Sequence, residues 1–498
     1  MGRSIGRECA FAAAAGVLAA LALPGFGASG LVYVALVPLL FALDRARTVR
    51  RGALLGFLFG FAFFAIDVRW SLAVARFNPL VILGYVLLAA YLAIPFALVG
   101  VVLAWLAARR TARMWLLAAP ALFVLAEFAR TLGPFGTGFS MLHHALYRVP
   151  WLIQSASVFG SWMITAFVVA TNVALYQAFR ERRSRFALVA IALVAMQAAF
   201  ALIPTPRVED AGELDVALLS SNVDQAVKLD GRNLPELTDR YTALAEEALA
   251  QSPDLIVFPE SFLPAYVLDR SELHEWLRDL ARRGSTELLF GTGEYVDRAI
   301  YNAVVLLDRD GEIAGRYWMV RPVPFGEYIP GRALLEGLGL GAWTRSLLPL
   351  DLSRGTESLP IGGYGTPICF ESVFAAGARS FVQNGANLLV TVTNDAWFDG
   401  SSELHAHFAA AVFRAVETRR WTIQVANGGV SGAIDDRGRI RSSFLGEGVV
   451  LQRHVKRLAG TSFYVRWGDG PLLIGMSLLV GIPIVFSALS RRSKKRGE

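Results

Sequence analysis

The chain of 498 residues is too apolar for an ordinary soluble protein, with 54% hydrophobic residues, 18% charged residues and a mean hydropathy of +0.46. A more polar stretch runs from about 209 to 468, so the composition predicts a membrane part and a water-soluble part. The net charge of +7 lies in short basic clusters beside apolar runs, which favours membrane orientation over nucleic-acid binding. Cys9 and Cys369 are too few and too differently placed to predict a disulfide framework or a thiolate metal site.

Apolar runs predict the membrane part. Seven occur in the first two hundred residues and an eighth follows the polar stretch, and several are shorter than the roughly 20 residues that a span needs. The sequence therefore predicts about eight membrane helices with approximate ends. The runs lie near 9–24, 30–43, 52–66, 80–107, 115–125, 151–179, 186–202 and 471–489.

Basic residues follow the second, fourth, sixth and eighth runs. Because positively charged flanks tend to stay in the cytoplasm, the polar stretch is predicted to lie on the outer, periplasmic face. The first run also fits a cleaved signal peptide, but the alternation of loop charge favours a retained helix. The predicted division is 1–205 for the first membrane helices, 206–468 for the soluble domain, 469–490 for a last membrane helix and 491–498 for a basic cytoplasmic tail. The basic residues are Arg45, Arg47, Arg50, Arg51, Arg109, Arg110, Arg113, Arg180, Arg182, Arg183, Arg185, Arg491, Arg492, Lys494, Lys495 and Arg496.

The polar stretch alternates short β-rich runs with helical segments, as in DVALLSSNV, PELTDRYTALAEEALA, DLIVFPES, ELHEWLRDLARRG and ELLFGTGEY. This alternation predicts an α/β sheet. NAVVLLDRDGEI predicts a hairpin around Asp310 and Gly311. GTPICFES predicts a strand that ends in an elbow, and GANLLVTVTNDAWF predicts a strand with a polar exit.

Acidic and thiol groups stand at the predicted strand ends. Glu260 closes LIVFP and Cys369 closes GTPI, and such a pair fits a base and a nucleophile for acyl transfer through a thioester. The alternative is a small buried cysteine and a capping glutamate. Glu327 and Glu371 add carboxylates, which could equally be ion-pair partners. The histidines of ELHAHF, at 405 and 407, share a face of a strand but not of a helix, and with no third ligand apparent they predict no metal site.

Five motifs occur in order behind the apolar runs: LIVFPES, RPVPFGEYIP, GTPICFES, TNDAWFDGS and VANGGVSGAIDDRGRI. Together with EFAR around Glu127 and Arg130, they resemble the bacterial apolipoprotein N-acyltransferases, which carry a domain of the nitrilase (carbon-nitrogen hydrolase) superfamily. The resemblance implies an αββα sandwich on eight helices of the bacterial inner membrane. It also implies transfer of an acyl chain from phospholipid to the N-terminal amine of a diacylglyceryl-cysteine apolipoprotein, with no soluble cofactor.

The resemblance also implies site residues through the Glu-Lys-Cys triad of that family. Glu260 matches the general base, Cys369 the nucleophile and Glu327 a further carboxylate, while Glu371 matches a position just past the nucleophile. Met319 stands where the triad lysine belongs, eight residues before Glu327. A thioether carries no charge, and the loss of such a donor costs about 3 to 4 kcal/mol of transition-state stabilisation.

Several further departures accompany Met319. Arg321 is the nearest cation in sequence and could supply charge but not shuttle a proton, whereas Lys228 and Lys456 have no obvious place in the site. Gln424 stands where an arginine is usual, the Lys-Trp pair near the first strand reads Lys228-Leu229, and GFPW reads GFSM. Two alternatives therefore stay open: a catalytically impaired member that binds lipid or lipoprotein or acts as a scaffold, and a membrane-tethered amidase or nitrilase, which needs the same lysine.

Overall fold

The computed structural model describes residues 2–46, 48–108, 114–203 and 208–495. It consists of a helical part, formed by the N-terminal segments and the last helix, and a sheet part between them. The predicted junction at 205/206 and the end of the predicted tail, 496–498, lie outside the described residues. So do Arg47, Arg109, Arg110 and Arg113 of the predicted basic loops.

The helical part contains a helix at each of the eight predicted apolar runs. Within the described ranges, four stretches are long and apolar enough to span a membrane, namely Val49–Arg76, Val81–Ala107, Trp162–Glu181 and Ser184–Leu202. Leu117–Ala129 and Gly470–Ile482 are shorter apolar helical segments. The helices are Gly2–Leu21, Val37–Arg45, Val49–Asp67, Val81–Ala107, Met114–Ala129, Trp162–Glu181, Ser184–Ala199 and Gly470–Lys495.

The sixth apolar run differs from the prediction. It was expected to be helical from about residue 151, but the long helix begins only at Trp162, after the short helix Ala156–Phe159. Gly160 causes the break, because its φ of +74° lies in the left-handed region that ends a helix. A Cβ atom at this position would come within 2.8 Å of the Tyr464 ring. The chain therefore turns here against the segment that leads into the last helix.

The sheet part contains two sheets. The first has the strand order β11-β1-β2-β3-β4-β5 and the second has the order β10-β9-β8-β7-β6. Parallel pairing joins β1, β2 and β3 in the first sheet and β6, β7 and β8 in the second. The strands are β1 Glu209–Ser220, β2 Leu255–Val257, β3 Glu287–Val296, β4 Ala299–Leu307, β5 Ile313–Trp318, β6 Tyr364–Gly365, β7 Leu388–Asn394, β8 Thr422–Asn427, β9 Val430–Ile434, β10 Ile440–Leu445 and β11 Gly448–Ala459.

The two sheets pack face to face and are covered by helices. Leu218 and Val257 of the first sheet share an apolar core with Val390 and Val425 of the second. Helices Leu234–Leu249 and Ser271–Gly284 cover the outer face of the first sheet. Helices Ala375–Gln383 and Glu403–Thr418 flank the second. The αββα sandwich implied by the resemblance is therefore confirmed, as is the β4–β5 hairpin around Asp310 and Gly311.

Helix Glu403–Thr418 lies between the second sheet and the helical part. Phe408 is buried, and its ring approaches Gly432 of β9 so closely that a Cβ atom there would lie 3.0 Å away. The same helix shares a core with residues of the helical part, including Ala145 and Ile164. The loop after helix Met114–Ala129 also contacts the sheet part, because a Cβ atom on Gly138 would lie 2.2 Å from the Val373 carbonyl oxygen. These contacts place the helical part beside the segment that follows Cys369.

Candidate active site

Four chain segments meet at the edge where the parallel strands end. They are the short helix Gln225–Leu229 after β1, the loop after β2, the turn at Ile368 and the exit of β7. Carboxyl ends of parallel strands lie on one edge of a sheet, and for this reason residues distant in sequence come together there. The side chains brought to this edge include Lys228, Glu260, Cys369 and Asp395, as their mutual interactions show.

Cys369 lies in the predicted elbow. β6 is only two residues long, but Ile368 still forms a bridge to Val392 of β7, and the chain turns sharply at the next residue. Cys369 has a φ of +45°, a left-handed conformation that is costly for a residue other than glycine. Its carbonyl oxygen accepts a hydrogen bond from Ser372 Oγ at 2.8 Å and lies 3.0 Å from His407 Nε2. The turn holds Cys369, a half-buried residue, at the strand edge.

Glu260 lies three residues beyond the end of β2 and is buried. Its Oε1 accepts a hydrogen bond from Asn302 Nδ2 at 2.7 Å, and its carboxyl group interacts electrostatically with the Cys369 thiol. Burial raises the pKa of Glu260 above its ordinary value. Burial, together with the charges of Glu260 and Asp395, also raises the pKa of the Cys369 thiol well above its ordinary value. The thiol is thus protonated beside a carboxyl group that can accept its proton.

Glu327 shares a hydrogen-bond donor with Glu260. The Asn302 Nδ2 group also donates to Glu327 Oε1 at 2.9 Å, while the Val323 amide donates to Oε2 at 2.7 Å. Burial and then the charge of Glu260 raise the pKa of Glu327 to about 7. Asn302 was not among the residues predicted from the sequence, although it is the one amide in the apolar strand AIYNAVVLL. It couples the two carboxyl groups.

Glu371 has a different place from the one expected of a site carboxylate. Its Oε1 accepts hydrogen bonds from the backbone amides of Val320 at 2.7 Å and Arg321 at 2.9 Å, and Oε2 accepts one from Ile368 at 3.0 Å. The Tyr317 hydroxyl lies 2.9 Å from both oxygens. Both carboxylate oxygens of Glu371 therefore accept hydrogen bonds, and the residue links the exit of β5 to the turn at Cys369.

Met319 is buried next to Asn302. Its backbone amide donates to the Asn302 carbonyl oxygen at 2.9 Å, and its Sδ lies 3.8 Å from Asn302 Nδ2. The position given to the family lysine therefore adjoins the amide that joins Glu260 and Glu327, and an apolar side chain occupies it. Arg321, which the sequence offers as a possible source of charge, makes its contacts elsewhere. Its Nη2 donates to the Thr131 carbonyl oxygen at 2.9 Å, and its guanidinium lies 3.5 Å from the centre of the Phe374 ring.

Lys228 lies in the site, a position that was not predicted from the sequence. Its side chain is buried and its Nζ donates to the Glu260 carbonyl oxygen at 2.9 Å. The ammonium group interacts electrostatically with Glu260 and Cys369, and burial lowers its pKa to about 8. Lys456, by contrast, is half exposed and lies 3.6 Å from both Asp210 and Glu213.

The two histidines lie on helix Glu403–Thr418. Residues two positions apart on a helix lie on different faces, so the two imidazole rings point in different directions. His407 is buried with its Nδ1 2.9 Å from Asp395 Oδ1 and 3.7 Å from Glu403 Oε1, whereas His405 lines a cleft with Arg148. Asp395, Glu403 and His407 are close enough to hold a metal ion. Asp395 directly follows β7 and is separate from the histidine motif, so the spacing of the histidines does not reveal it.

Two family profiles match the chain. Residues 15–174 match the apolipoprotein N-acyltransferase N-terminal domain and residues 227–457 match carbon-nitrogen hydrolase. A Geobacter metallireducens apolipoprotein N-acyltransferase is 32% identical, over 98% of this chain and 96% of the relative. The chain belongs to the apolipoprotein N-acyltransferase family. A relative of the same name from Thermotoga maritima is 30% identical over 97% of this chain and 94% of its own length. Among solved structures, the C. elegans NitFhit protein matches with a TM-score of 0.39 and 18% identity, over 52% of this chain and 63% of that one.

Membership of the apolipoprotein N-acyltransferase family confirms the resemblance found in the sequence. The protein is a membrane acyltransferase with a carbon-nitrogen hydrolase domain, and its apolar helices are those of a bacterial inner-membrane protein. Position 319 carries methionine, while Lys228 lies against Glu260.

Proposed function

We propose that this protein transfers an acyl chain from a phospholipid to the amino group of the N-terminal diacylglyceryl-cysteine of an apolipoprotein. The observation that carries the proposal is the placement of Cys369 beside the Glu260 carboxyl group at the strand edge, with the cysteine on a left-handed turn. A thiol nucleophile with an adjacent general base is the arrangement that acyl transfer through a thioester requires. The names of the full-length relatives supply the acceptor class.

The first half-reaction loads the enzyme. Glu260 takes the proton from the Cys369 thiol, and Sγ attacks the ester carbonyl carbon of the phospholipid to form a tetrahedral intermediate. The intermediate collapses as the bond between this carbon and the ester oxygen breaks. Glu260 returns its proton to the leaving oxygen, so that lysophospholipid departs and Cys369 carries the acyl chain as a thioester.

The second half-reaction passes the chain to the acceptor. The apolipoprotein amine attacks the thioester carbon, and Glu260 accepts the proton that the nitrogen loses. The carbon–sulfur bond then breaks, an amide is left on the apolipoprotein, and the Cys369 thiolate recovers the proton. No net proton, electron or water is consumed, so the two-step scheme needs no soluble cofactor.

We assign the acyl chain to the apolar side of the site, where the two parts of the molecule meet. Phe370, next to the nucleophile, has its ring centre 6.2 Å from that of Phe139 in the helical part. Phe325 stacks on Phe135 at 6.0 Å, and Trp70 meets Phe398 edge to face at 4.8 Å. These aromatic pairs connect the helical part with the sheet part, one of them next to Cys369. Their position fits a lipid substrate that enters sideways from the bilayer.

We further propose that the sheet part lies on the periplasmic face. The support is the distribution of basic residues, which follow the even-numbered apolar runs and therefore favour a cytoplasmic position for those loops. A soluble domain between the seventh and eighth runs then lies on the opposite side. Accessibility of cysteines placed in the predicted loops to a membrane-impermeant thiol reagent, applied to intact cells, tests this orientation.

The non-catalytic alternative depended on Met319. Among the described residues, no contact favours a lipid-binding or scaffold role over chemistry, and Glu260 keeps its hydrogen bond from Asn302 and its interaction with Cys369. The tethered amidase alternative shares the thiol chemistry but does not account for the N-terminal family match. The acyltransferase proposal is therefore the one that uses both parts of the chain.

Intact-protein mass spectrometry tests the proposal directly. The purified chain is incubated in detergent with phospholipid, and we expect an added acyl mass that hydroxylamine removes. Cys369→Ser should lose the hydroxylamine-sensitive adduct, whereas Cys9→Ser should keep it, because Cys9 lies in the first helix. An adduct that survives Cys369→Ser, or a native protein that never acquires one while phospholipid is present, would contradict the proposal.

A further inference from the structure

We propose that Lys228 supplies the positive charge of this active site, in place of the lysine that the family triad carries at position 319. The inference rests on the proposed function and deepens it, because it names the cation that favours the Cys369 thiolate. Lys228 reaches the site because the chain turns into the short helix Gln225–Leu229 directly after β1 and the loop at 221–224. Asp224 starts this helix by accepting a hydrogen bond from the Ala226 amide at 2.7 Å.

The surroundings of Lys228 give its ammonium group a function. A buried ammonium is costly unless anions and acceptors surround it. The Nζ of Lys228 donates to the Glu260 carbonyl oxygen at 2.9 Å, and its charge interactions are with Glu260 and Cys369. The anions that compensate its burial are therefore the general base and, once it ionises, the nucleophile.

The charges around the thiol show why a cation is needed. Burial disfavours the Cys369 thiolate, and so do the negative charges of Glu260, Asp395 and Glu327. A positive charge beside the thiol therefore lowers the cost of forming the thiolate that attacks the substrate.

The other cations near the site are engaged elsewhere. His407 lies between Asp395 and Glu403, so any charge on its ring is shared with those carboxylates. Arg321 is held at the Thr131 carbonyl and over the Phe374 ring. Among the described residues, Lys228 is the lysine that lies in contact with the Glu260 segment.

Lys228 acts by charge and keeps its protons throughout the reaction. It favours the thiolate and then the tetrahedral oxyanion, while Glu260 alone moves the proton between the thiol, the leaving oxygen and the amine. Its pKa of about 8 is consistent with this division, because the ammonium form still predominates at neutral pH. Its hydrogen bond also fixes the backbone of Glu260, so a charge role and a structural role must be separated by experiment.

Alkylation of Cys369 by iodoacetamide separates them, because it reports the thiolate without requiring phospholipid. The protein carries Cys9→Ser so that a single thiol reacts, and the rate is followed by intact mass from about pH 6 to 10. We expect Lys228→Met to slow alkylation about tenfold near neutral pH, and we expect this difference to shrink above about pH 8, where Lys228 of the native chain loses its charge. Lys228→Arg should retain most of the rate, and the exposed Lys456→Met serves as the matched control.

Rescue from position 319 sharpens the test. Met319→Lys should restore most of the rate lost in Lys228→Met, because it returns a cation beside Asn302 without remaking the hydrogen bond to the Glu260 carbonyl. An unchanged pH profile in Lys228→Met would overturn the proposal and leave Lys228 as a structural donor. If Lys228→Met does not fold, Met319→Lys alone decides: a change of less than about threefold supports a site already supplied with charge, and a gain of tenfold or more overturns it.

The outcome is independent of the acyl-transfer proposal. A Lys228-dependent alkylation profile in a protein that never forms the acyl adduct would contradict the proposed function and keep the charge assignment. An adduct that forms equally well in native protein and Lys228→Met would overturn the charge assignment and keep the function.

Discussion

Two buried carboxylates, one in each part of the molecule, have opposite surroundings. Glu127 in the helical part accepts from the Leu142 amide at 2.8 Å and from Thr165 Oγ1 at 2.7 Å, so each oxygen has its own fixed donor. Glu260 in the sheet part accepts from the Asn302 amide group, which it shares with Glu327, and its other partner is an ionisable thiol. The difference shows that a buried carboxylate with fixed donors holds structure, whereas one with an exchangeable partner can move a proton.

The same distinction separates Glu371 and Glu327 in the sheet part. Glu371 has three backbone amides and a tyrosine hydroxyl as donors, which leaves it no role as a base. Glu327 has one backbone donor and the shared amide of Asn302. Their positions in the sequence predict that both lie near Cys369. Their hydrogen-bond donors indicate that Glu371 holds the backbone in position, whereas Glu327 is coupled to Glu260.

The largest expected effect comes from Glu260→Gln. A glutamine cannot accept the thiol proton, so we expect the rate of acyl-adduct formation on Cys369 to fall by about 10² to 10⁴-fold. Rapid-quench intact mass spectrometry with excess phospholipid measures this rate. Glu294→Gln is the matched control, because Glu294 is a buried carboxylate of β3 that contacts Arg316 and Trp318 instead of the thiol.

Glu127→Gln should show the converse behaviour. The amide replaces an acceptor oxygen with a donor facing the Leu142 amide or the Thr165 hydroxyl, and the unfolding free energy should fall by roughly 1 to 3 kcal/mol. The adduct rate of the folded fraction should stay within about threefold of native. Thermal unfolding in detergent gives the first quantity. Equal losses of chemistry in Glu127→Gln and Glu260→Gln would remove the distinction between the two carboxylates.

A smaller, pH-dependent effect is expected from Glu327→Gln. Because burial raises the pKa of Glu327 to about 7 from an ordinary 4.5, the folded protein keeps this proton between those values while the unfolded chain loses it. The native chain therefore loses stability as pH rises through this window, by about 3 kcal/mol at most. The Gln variant lacks this loss, so its stability relative to native should increase from about pH 4 to 8 and then level off. A difference that is constant with pH would show that Glu327 ionises normally.

The smallest effect is expected from Arg321→Gln. Its guanidinium contacts Thr131 and the Phe374 ring, so its loss should change Cys369 alkylation by less than about threefold. The comparison with Lys228→Met under identical conditions is informative, because both changes remove one positive charge within the same domain. A tenfold loss in Arg321→Gln would instead indicate that Arg321, the cation nearest to Met319 in the sequence, supplies the charge.

Much of the fold and part of the site could be predicted because periodicity and order along the chain carry them. Glu260 and Cys369 follow parallel strands, and parallel strands necessarily bring their ends to one edge. Lys228 could not be placed, because its distance from Glu260 depends on how the loop and short helix after β1 fold back. Asn302 is a single amide on an apolar strand, and only the packed structure shows that it faces two carboxyl groups.

The errors have equally local causes. The cluster of Asp395, Glu403 and His407 could not be found from the spacing of the two histidines, because Asp395 comes from the exit of β7. The apolar run from about 151 contained no obvious stop, because Gly160 is a weak signal inside a hydrophobic segment. In both cases tertiary contacts decide between structures that the composition permits.

The donors of Glu371 also have a mechanical consequence. One carboxylate holds the amides of Val320, Arg321 and Ile368, so the strand exit that bears Met319 and the turn that bears the nucleophile move as one body. The two backbone segments that Glu371 joins therefore cannot move apart to admit a longer acyl chain. Accommodation of different fatty acids must therefore come from side-chain rotamers, such as those of Phe370 on this turn and Phe139 facing it, which can change without breaking a hydrogen bond.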